Sequence, residues 1–149
     1  MSKVLLISVK PEFADKIVNG EKSIELRKCS PKVSKNDMVI IYSTDPVMAV
    51  VGICKVEEVI KMNPTKMWNG HKEKLGIDKK RFMAYYEDTE KAIGIVLKSA
   101  CKLDQQIQLR AIKKIFPKFS PPQTFRYYAK SDIFKTYLTR LADNTLPHF

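Results

Sequence analysis

The sequence predicts an α+β fold built on a mostly antiparallel, curled sheet, and three observations predict it. Apolar runs suited to strands come as strand, helix, then several strands with helices inserted, not as the regular alternation of a parallel sheet. Gly52 interrupts the longest strand-like run, Val47 to Met62, as a bulge or bend in a small barrel would. The 149 residues, 44% apolar and 29% charged, suffice to enclose one core in one domain.

Taken in order, Lys3 to Val9 is a strand whose continuous Val4-Leu5-Leu6-Ile7 run predicts burial on both faces. Pro11 to Asn19 is a helix, with proline near its start and Phe13 and Ile17 on one face; Gly20 suits the residue that ends it. Ser23 to Arg27 alternates, which turns Ile24 and Leu26 inward and Glu25 and Arg27 to the other face. Met38 to Ser43 is a further strand, and Asp45-Pro46 a turn before the long arm from Val47 to Met62. Asn63-Pro64 caps and opens a helix over Thr65 to Leu75 that Gly76 closes, with Met67 and Trp68 facing the core. Asp78 caps a second, Lys79 to Tyr86, packed through Phe82, Tyr85 and Tyr86. Lys91 to Leu103 returns to strand; Leu109, Ile112 and Phe116 predict a short helix over Gln105 to Phe116, ended by Pro117. Pro121-Pro122 enforces an extended approach to a last strand with Phe125, Tyr127 and Tyr128. Ser131 to Asn144 carries Phe134, Tyr137, Leu138 and Leu141 on one stripe, an amphipathic helix expected on the same domain or on a protein partner.

The run Gly20-Glu21-Lys22-Ser23-Ile24-Glu25-Leu26-Arg27 sets a GxKxxExR spacing at a helix-to-strand turn. Read alone, it describes either a ligand site or a surface strand with a solvated Glu/Arg pair, worth under about 1 kcal/mol. The spacing resembles the signature of the ASCH domains, a branch of the PUA-like superfamily. Ile7 to Ala14 and Pro121 to Tyr127 are similar to that family's opening and closing segments, so the resemblance runs from about Lys3 to Tyr128. It implies a PUA-like, mostly antiparallel β-barrel with flanking helices over residues 1–128; the amphipathic helix of 129–149, expected to pack on the same domain, lies beyond the resemblance. It also implies a cleft between barrel and helices that takes RNA or a nucleotide-like ligand, with Lys22, Glu25 and Arg27 as its carriers and Lys10 at the entry.

The charge fits such a partner. Lys and Arg number 27 against 16 Asp and Glu, a net +11, and Gln105 to Phe149 alone holds eight basic and two acidic residues. A basic surface of this kind is expected where phosphate backbones are met. Within the cleft, Lys22 would offer a compact charge to phosphate and Arg27 a planar fork, while Glu25 would accept from a base amino group. Equally, Glu25 would pair with Arg27 or Lys22 to hold the turn. Tyr42 and Ser43 at a strand end, and Gln123, Thr124, Arg126 and Tyr127 in the closing segment, are further candidates; Phe125 is assigned to packing.

Several classes are disfavoured. No run of about 18 apolar residues exists to span a membrane, and Pro11-Glu12 stands where a signal peptide would have its cleavage site; a cytoplasmic protein is expected. Cys29, Cys54 and Cys101 form no CxxC pair, and His71 and His148 lie far from them, so reduced thiols, no metal and no cofactor are expected, with Cys54 and Cys101 in the core. Some small ASCH proteins are amidohydrolases acting on an N-acylated cytidine-type nucleoside through a lysine, a threonine and a distant glutamate. Lys22 fits, and Glu57 or Glu58 would be the acid, but Glu25 stands where the threonine would be, and a carboxylate does not replace a hydroxyl nucleophile. A metal-independent ribonuclease using Lys22 and a tyrosine stays open as the enzymatic alternative, and a protein-docking module as the other.

Overall fold

β1 (Val4–Val9) is buried at every position, as its unbroken apolar run requires. It is one of six strands in a single curled sheet; the structure, a computed structural model, describes residues 3–128 together with Thr136 and Arg140. The others are β2 (Ile24–Arg27), β3 (Met38–Ser43), β4 (Ala49–Met62), β5 (Ala92–Gln108) and β6 (Phe125–Tyr128). Their order is β2-β5-β4-β3-β1-β6, which leaves β2 and β6 at the edges. Every pair is antiparallel except β1 with β3, which run parallel. Helices α1 (Pro11–Val18), α2 (Pro64–Leu75), α3 (Lys79–Tyr85) and α4 (Leu109–Ile115) flank the sheet. This is the α+β, mostly antiparallel architecture that the sequence predicts.

Period-two alternation divides the core. Val4, Leu6, Ile40 and Tyr42 join one cluster with Leu103, Ile107 and Ile112, over which α4 lies. Leu5, Ile7, Val9, Val39 and Ile41 join the other, against Ala14 and Ile17 of α1. A third cluster, with Ile24, Leu26, Met67, Leu75, Phe82 and Tyr86, seats α2 and α3 on β2. The sheet bends where β4 shifts register, at Val50/Gly52, Ile53/Lys55 and Val56/Glu58. Gly52 is needed there: a Cβ would collide with the Val18 side chain and lie 2.8 Å from the Cys101 carbonyl oxygen, so glycine lets the end of α1 rest on β4.

The caps follow the sequence. The Asn63 side chain accepts from Thr65 N at 2.8 Å and the Asp78 side chain from Arg81 N at 2.8 Å, opening α2 and α3. Gly20 (φ +81°) and Gly76 (φ +64°) hold the left-handed conformations that end α1 and α2. One boundary differs. The helix expected from Gln105 begins only at Leu109, because β5 continues through Ile107 opposite Val50 and Gln108 opposite Ala49. Ladder pairing and burial of Ile107 outweigh the helical spacing of that stretch. Cys54 is buried as expected, and burial pushes its thiol up to about 12, whereas Cys101 is only half-buried and Cys29 is exposed. The amphipathic helix expected over Ser131 to Asn144, and with it the docking stripe, lies outside the described residues apart from Thr136 and Arg140. No helix among the described residues is long and apolar enough to cross a membrane.

Candidate functional site

The turn after α1 is fastened to the C-terminus of α2. Gly20 turns the chain, and the Glu21 and Lys22 amides donate back to Lys16 O at 2.8 and 3.0 Å. Three bonds then reach the last carbonyls of α2: Ser23 N to Lys74 O at 3.0 Å, Lys22 Nζ to Leu75 O at 2.5 Å, and Lys16 Nζ to Gly76 O at 3.0 Å. Those carbonyls lack intrahelical partners and form the negative end of the helix dipole, so two ammonium groups suit them. At Gly76 a Cβ would stand 2.8 Å from Lys22 Cβ, so glycine is what lets the lysine stem pass.

Lys22 is therefore a buried ion, 3% exposed, and not the mobile surface charge that its place in a turn implies. Glu25, 6% exposed, is its partner: Oε1 lies 3.8 Å from Lys22 Nζ, while Oε2 accepts from Arg27 Nη2 at 2.6 Å. The Glu25–Arg27 pair is consequently no solvated surface pair: it lies on a cavity wall, held by Lys22 on one side and by Ser8 O on the other. Arg27 Nη2 also donates to Ser8 O at 3.0 Å, tying edge strand β2 to the end of β1, and Arg27 O accepts from Tyr86 Oη at 3.0 Å. Arg27 Nε is buried and has no hydrogen-bond partner among the described residues. With both bases charged, the three side chains carry one excess positive charge. Burial draws the Lys22 ammonium below the ordinary lysine range, against the opposing pull of Glu25.

These three side chains line a cavity of about 660 Å³ between the ends of β1 and β2 and helices α1 and α3. Ser8, Lys10, Phe13, Thr44, Arg81, Tyr85 and Gln123 complete its polar and aromatic lining. The size is that of a pocket for a small organic ligand. Arg81 grips Glu12 with both terminal nitrogens, at 3.0 and 2.7 Å, and Asp78 Oδ2 with Nε at 2.7 Å, clasping α3 to α1. The Phe13 ring stands beneath this clasp, with Lys22 Nζ 5.5 Å and Arg81 Cζ 5.4 Å from its centre.

Of the residues expected from sequence, the structure thus brings Lys10, Lys22, Glu25, Arg27 and Gln123 together. It places the others elsewhere. Tyr42 is buried in the α4-side cluster and Ser43 is buried beside it, its hydroxyl without a partner among the described residues. Thr124 is exposed and outside the cavity lining, while its carbonyl accepts from Ser8 N. Arg126 pairs with Leu6 and bonds Ser120 O at 3.0 Å, on the opposite face of β6 from Tyr127, whose ring packs on Phe125. Neighbours in one strand point to opposite faces, so Arg126 and Tyr127 do not form one surface. Glu57 is engaged by Lys35 and Lys98, each at 3.1 Å, and neither it nor Glu58 lines the cavity, which removes the distant acid of the amidohydrolase pattern. Sequence reasoning missed Arg81 as a site-forming residue and assigned Tyr85 to packing. The place of Arg81 at i, i+3 from an aspartate cap was the one available signal.

The ASCH domain pattern matches residues 7–104 of this chain. An ASCH domain-containing ribonuclease from Zymomonas mobilis is 30% identical over 130 residues, covering 87% of each chain. The crystal structure of ASCH from Zymomonas mobilis superposes with a TM-score of 0.86 at 29% identity, over 93% of this chain and 94% of that one. Human THYN1, solved in complex with DNA containing 5-methylcytosine, shares the fold at a TM-score of 0.56 and 9% identity, over 95% of this chain and 98% of that one. The match over about two thirds of the chain makes this protein a member of the ASCH domain family.

Proposed function

We propose that the chain binds RNA in the cavity between α1, α3 and the ends of β1 and β2. The observation that carries this is the buried Lys22–Glu25–Arg27 set on the cavity wall, with one positive charge more than its carboxylate balances. A concave site of that polarity favours an anion, and the net +11 of the chain favours a polyanion. Lys10, exposed at the cavity and at the start of α1, is the residue free to meet a phosphate, and Arg27 has donors left beyond Glu25 and Ser8. The Zymomonas relative, a ribonuclease, supports RNA as the polymer.

The same relative favours a second reading, that the bound RNA is cut. Here Lys22 is the group of interest, since it lines the cavity and burial draws its ammonium below the ordinary lysine range, the direction that eases proton transfer with a ribose 2′-hydroxyl.

A titration of labelled single-stranded RNA, duplex RNA and duplex DNA at two salt concentrations, beside Lys10→Glu, tests the binding. RNA binding that weakens steeply with salt, and several-fold more in Lys10→Glu, is expected. Equal affinity of the variant and wild type, or binding indifferent to salt, would overturn the cavity as the RNA site. Running the recovered RNA on a gel tests cleavage, which shortened product supports and intact RNA refutes.

A further inference from the structure

We infer that Tyr85 is a stacking platform for a nucleobase, which makes the cavity a site for an unpaired nucleotide; this rests on the RNA-binding reading above. Among the described residues two aromatic side chains are exposed, Tyr85 at 38% and Tyr127 at 37%, and only Tyr85 lines the cavity. The hydroxyl of Tyr127 accepts from Lys32 N on the β6 edge, away from the signature residues.

Tyr85 is held in place without being enclosed. The Tyr86 ring meets it edge-on, 4.8 Å between centres and 70° between planes, and Tyr86 in turn packs on Phe82 at 5.1 Å. Tyr86 Oη donates to Arg27 O, so the backbone that carries the guanidinium and the ring system that supports Tyr85 are joined by one hydrogen bond. A ring fixed in this way loses little freedom when a ligand stacks on it. Phe82 and Tyr86 already supply the burial that seats α3, while Tyr85 stays outside that core cluster. Arg81, Ala84 and Tyr85 turn one side of α3 to the cavity, and the alanine next to the ring adds no bulk beside it.

The charges around the ring suit a nucleotide as a whole. Lys28 Nζ lies over the Tyr85 ring, 4.8 Å from its centre, a cation–π contact on one ring face; Lys28 is exposed and does not line the cavity, so its long stem is free to swing the ammonium from the ring to a backbone phosphate when a base stacks there. A base in a duplex is already stacked on both faces and cannot enter a recess walled by α1 and α3. An unpaired base has a free face to offer.

Fluorescence anisotropy with a labelled eight-nucleotide single strand of RNA, and with the same strand in a duplex, tests the assignment on the full chain. Tyr85→Leu is expected to weaken single-strand binding about tenfold, Tyr85→Phe to stay within about twofold of wild type, and duplex binding to be equal in all three. Thermal melting of Tyr85→Leu should match wild type, since the ring is not needed for the core. Single-strand affinity unchanged in Tyr85→Leu would overturn the stacking role while leaving the RNA-binding reading intact. A loss in Tyr85→Phe as large as in Tyr85→Leu would also overturn it, by assigning the effect to the hydroxyl. Failure of the wild-type chain to bind any strand would overturn the parent reading and this one together.

Discussion

Replacing Lys22 by methionine separates a lysine that binds ligand from one that holds the fold. Methionine keeps much of the stem that passes Gly76 and removes the ammonium. The variant loses the charged hydrogen bond to Leu75 O, a kind of interaction worth about 1.5–3 kcal/mol. It also loses the Glu25 pair at 3.8 Å, but Glu25 keeps Arg27 at 2.6 Å, so no carboxylate is left bare. Against this, the variant no longer desolvates a charge. The net expectation is a loss of about 2 kcal/mol, or a melting temperature lower by about 4–8 °C for a domain of this size. Trp68 reports it directly, because it lies on α2, the helix that Lys22 caps, and packs against Phe82 at 5.3 Å. Urea unfolding followed by Trp68 fluorescence should show a lower midpoint at an unchanged slope. An unchanged midpoint would refute the capping role and return Lys22 to a purely ligand-binding one. Lys22→Ala should cost more, since it also empties the space of the stem beside Phe13.

Two further outcomes follow from the same site. Burial lowers the Lys22 ammonium, so the unfolded chain binds that proton more tightly and stability rises with pH between the native value and the ordinary one near 10.5. The stability advantage of wild type over Lys22→Met should therefore grow from about pH 8 to about pH 10 in parallel urea titrations, and an advantage that shrinks would contradict the burial argument. At Gly76, alanine would have to adopt φ +64° with its Cβ 2.8 Å from Lys22 Cβ. Gly76→Ala should destabilise by about 1–2 kcal/mol from the backbone alone and weaken RNA binding by shifting Lys22, whereas Gly70→Ala, which meets nothing within 4 Å, should do neither in the same two assays.

The parts of the fold that were legible in the sequence are those written in neighbouring residues. Gly20 after a helical face, Asn63 before Pro64 and Asp78 three residues before Arg81 each announce a helix end through local chemistry, and each end lies there. The signature was legible as a turn and a strand for the same reason. Its environment was not. That Lys22 caps α2 depends on a contact across 53 residues, and the clasp of Arg81 on Glu12 on one across 69. Nothing within a window of ten residues encodes either. The placing of Arg126 and Tyr127 away from the cavity has a different cause: their adjacency in sequence reads as one surface, whereas strand geometry sends neighbours to opposite faces. The missed end of β5 arose where two patterns overlap, since Leu109, Ile112 and Phe116 do have helical spacing while Ile107 belongs to the ladder.

The strand that carries Glu25 and Arg27 also has a place in time. β2 lies at an edge of the sheet, and its strand partner is β5: Ile24 stands opposite Val96 and Arg27 opposite Ile93. A ribosome completes that strand early and must then build β3, β4, α2, α3 and the start of β5, from Met38 to Leu97, before that ladder can close. Until then Lys22 has no α2 carbonyl to meet and Arg27 no neighbouring strand to align it. The growing chain thus leaves the ribosome with Lys22, Glu25 and Arg27 unassembled, and the three side chains meet their partners only when most of the domain has emerged.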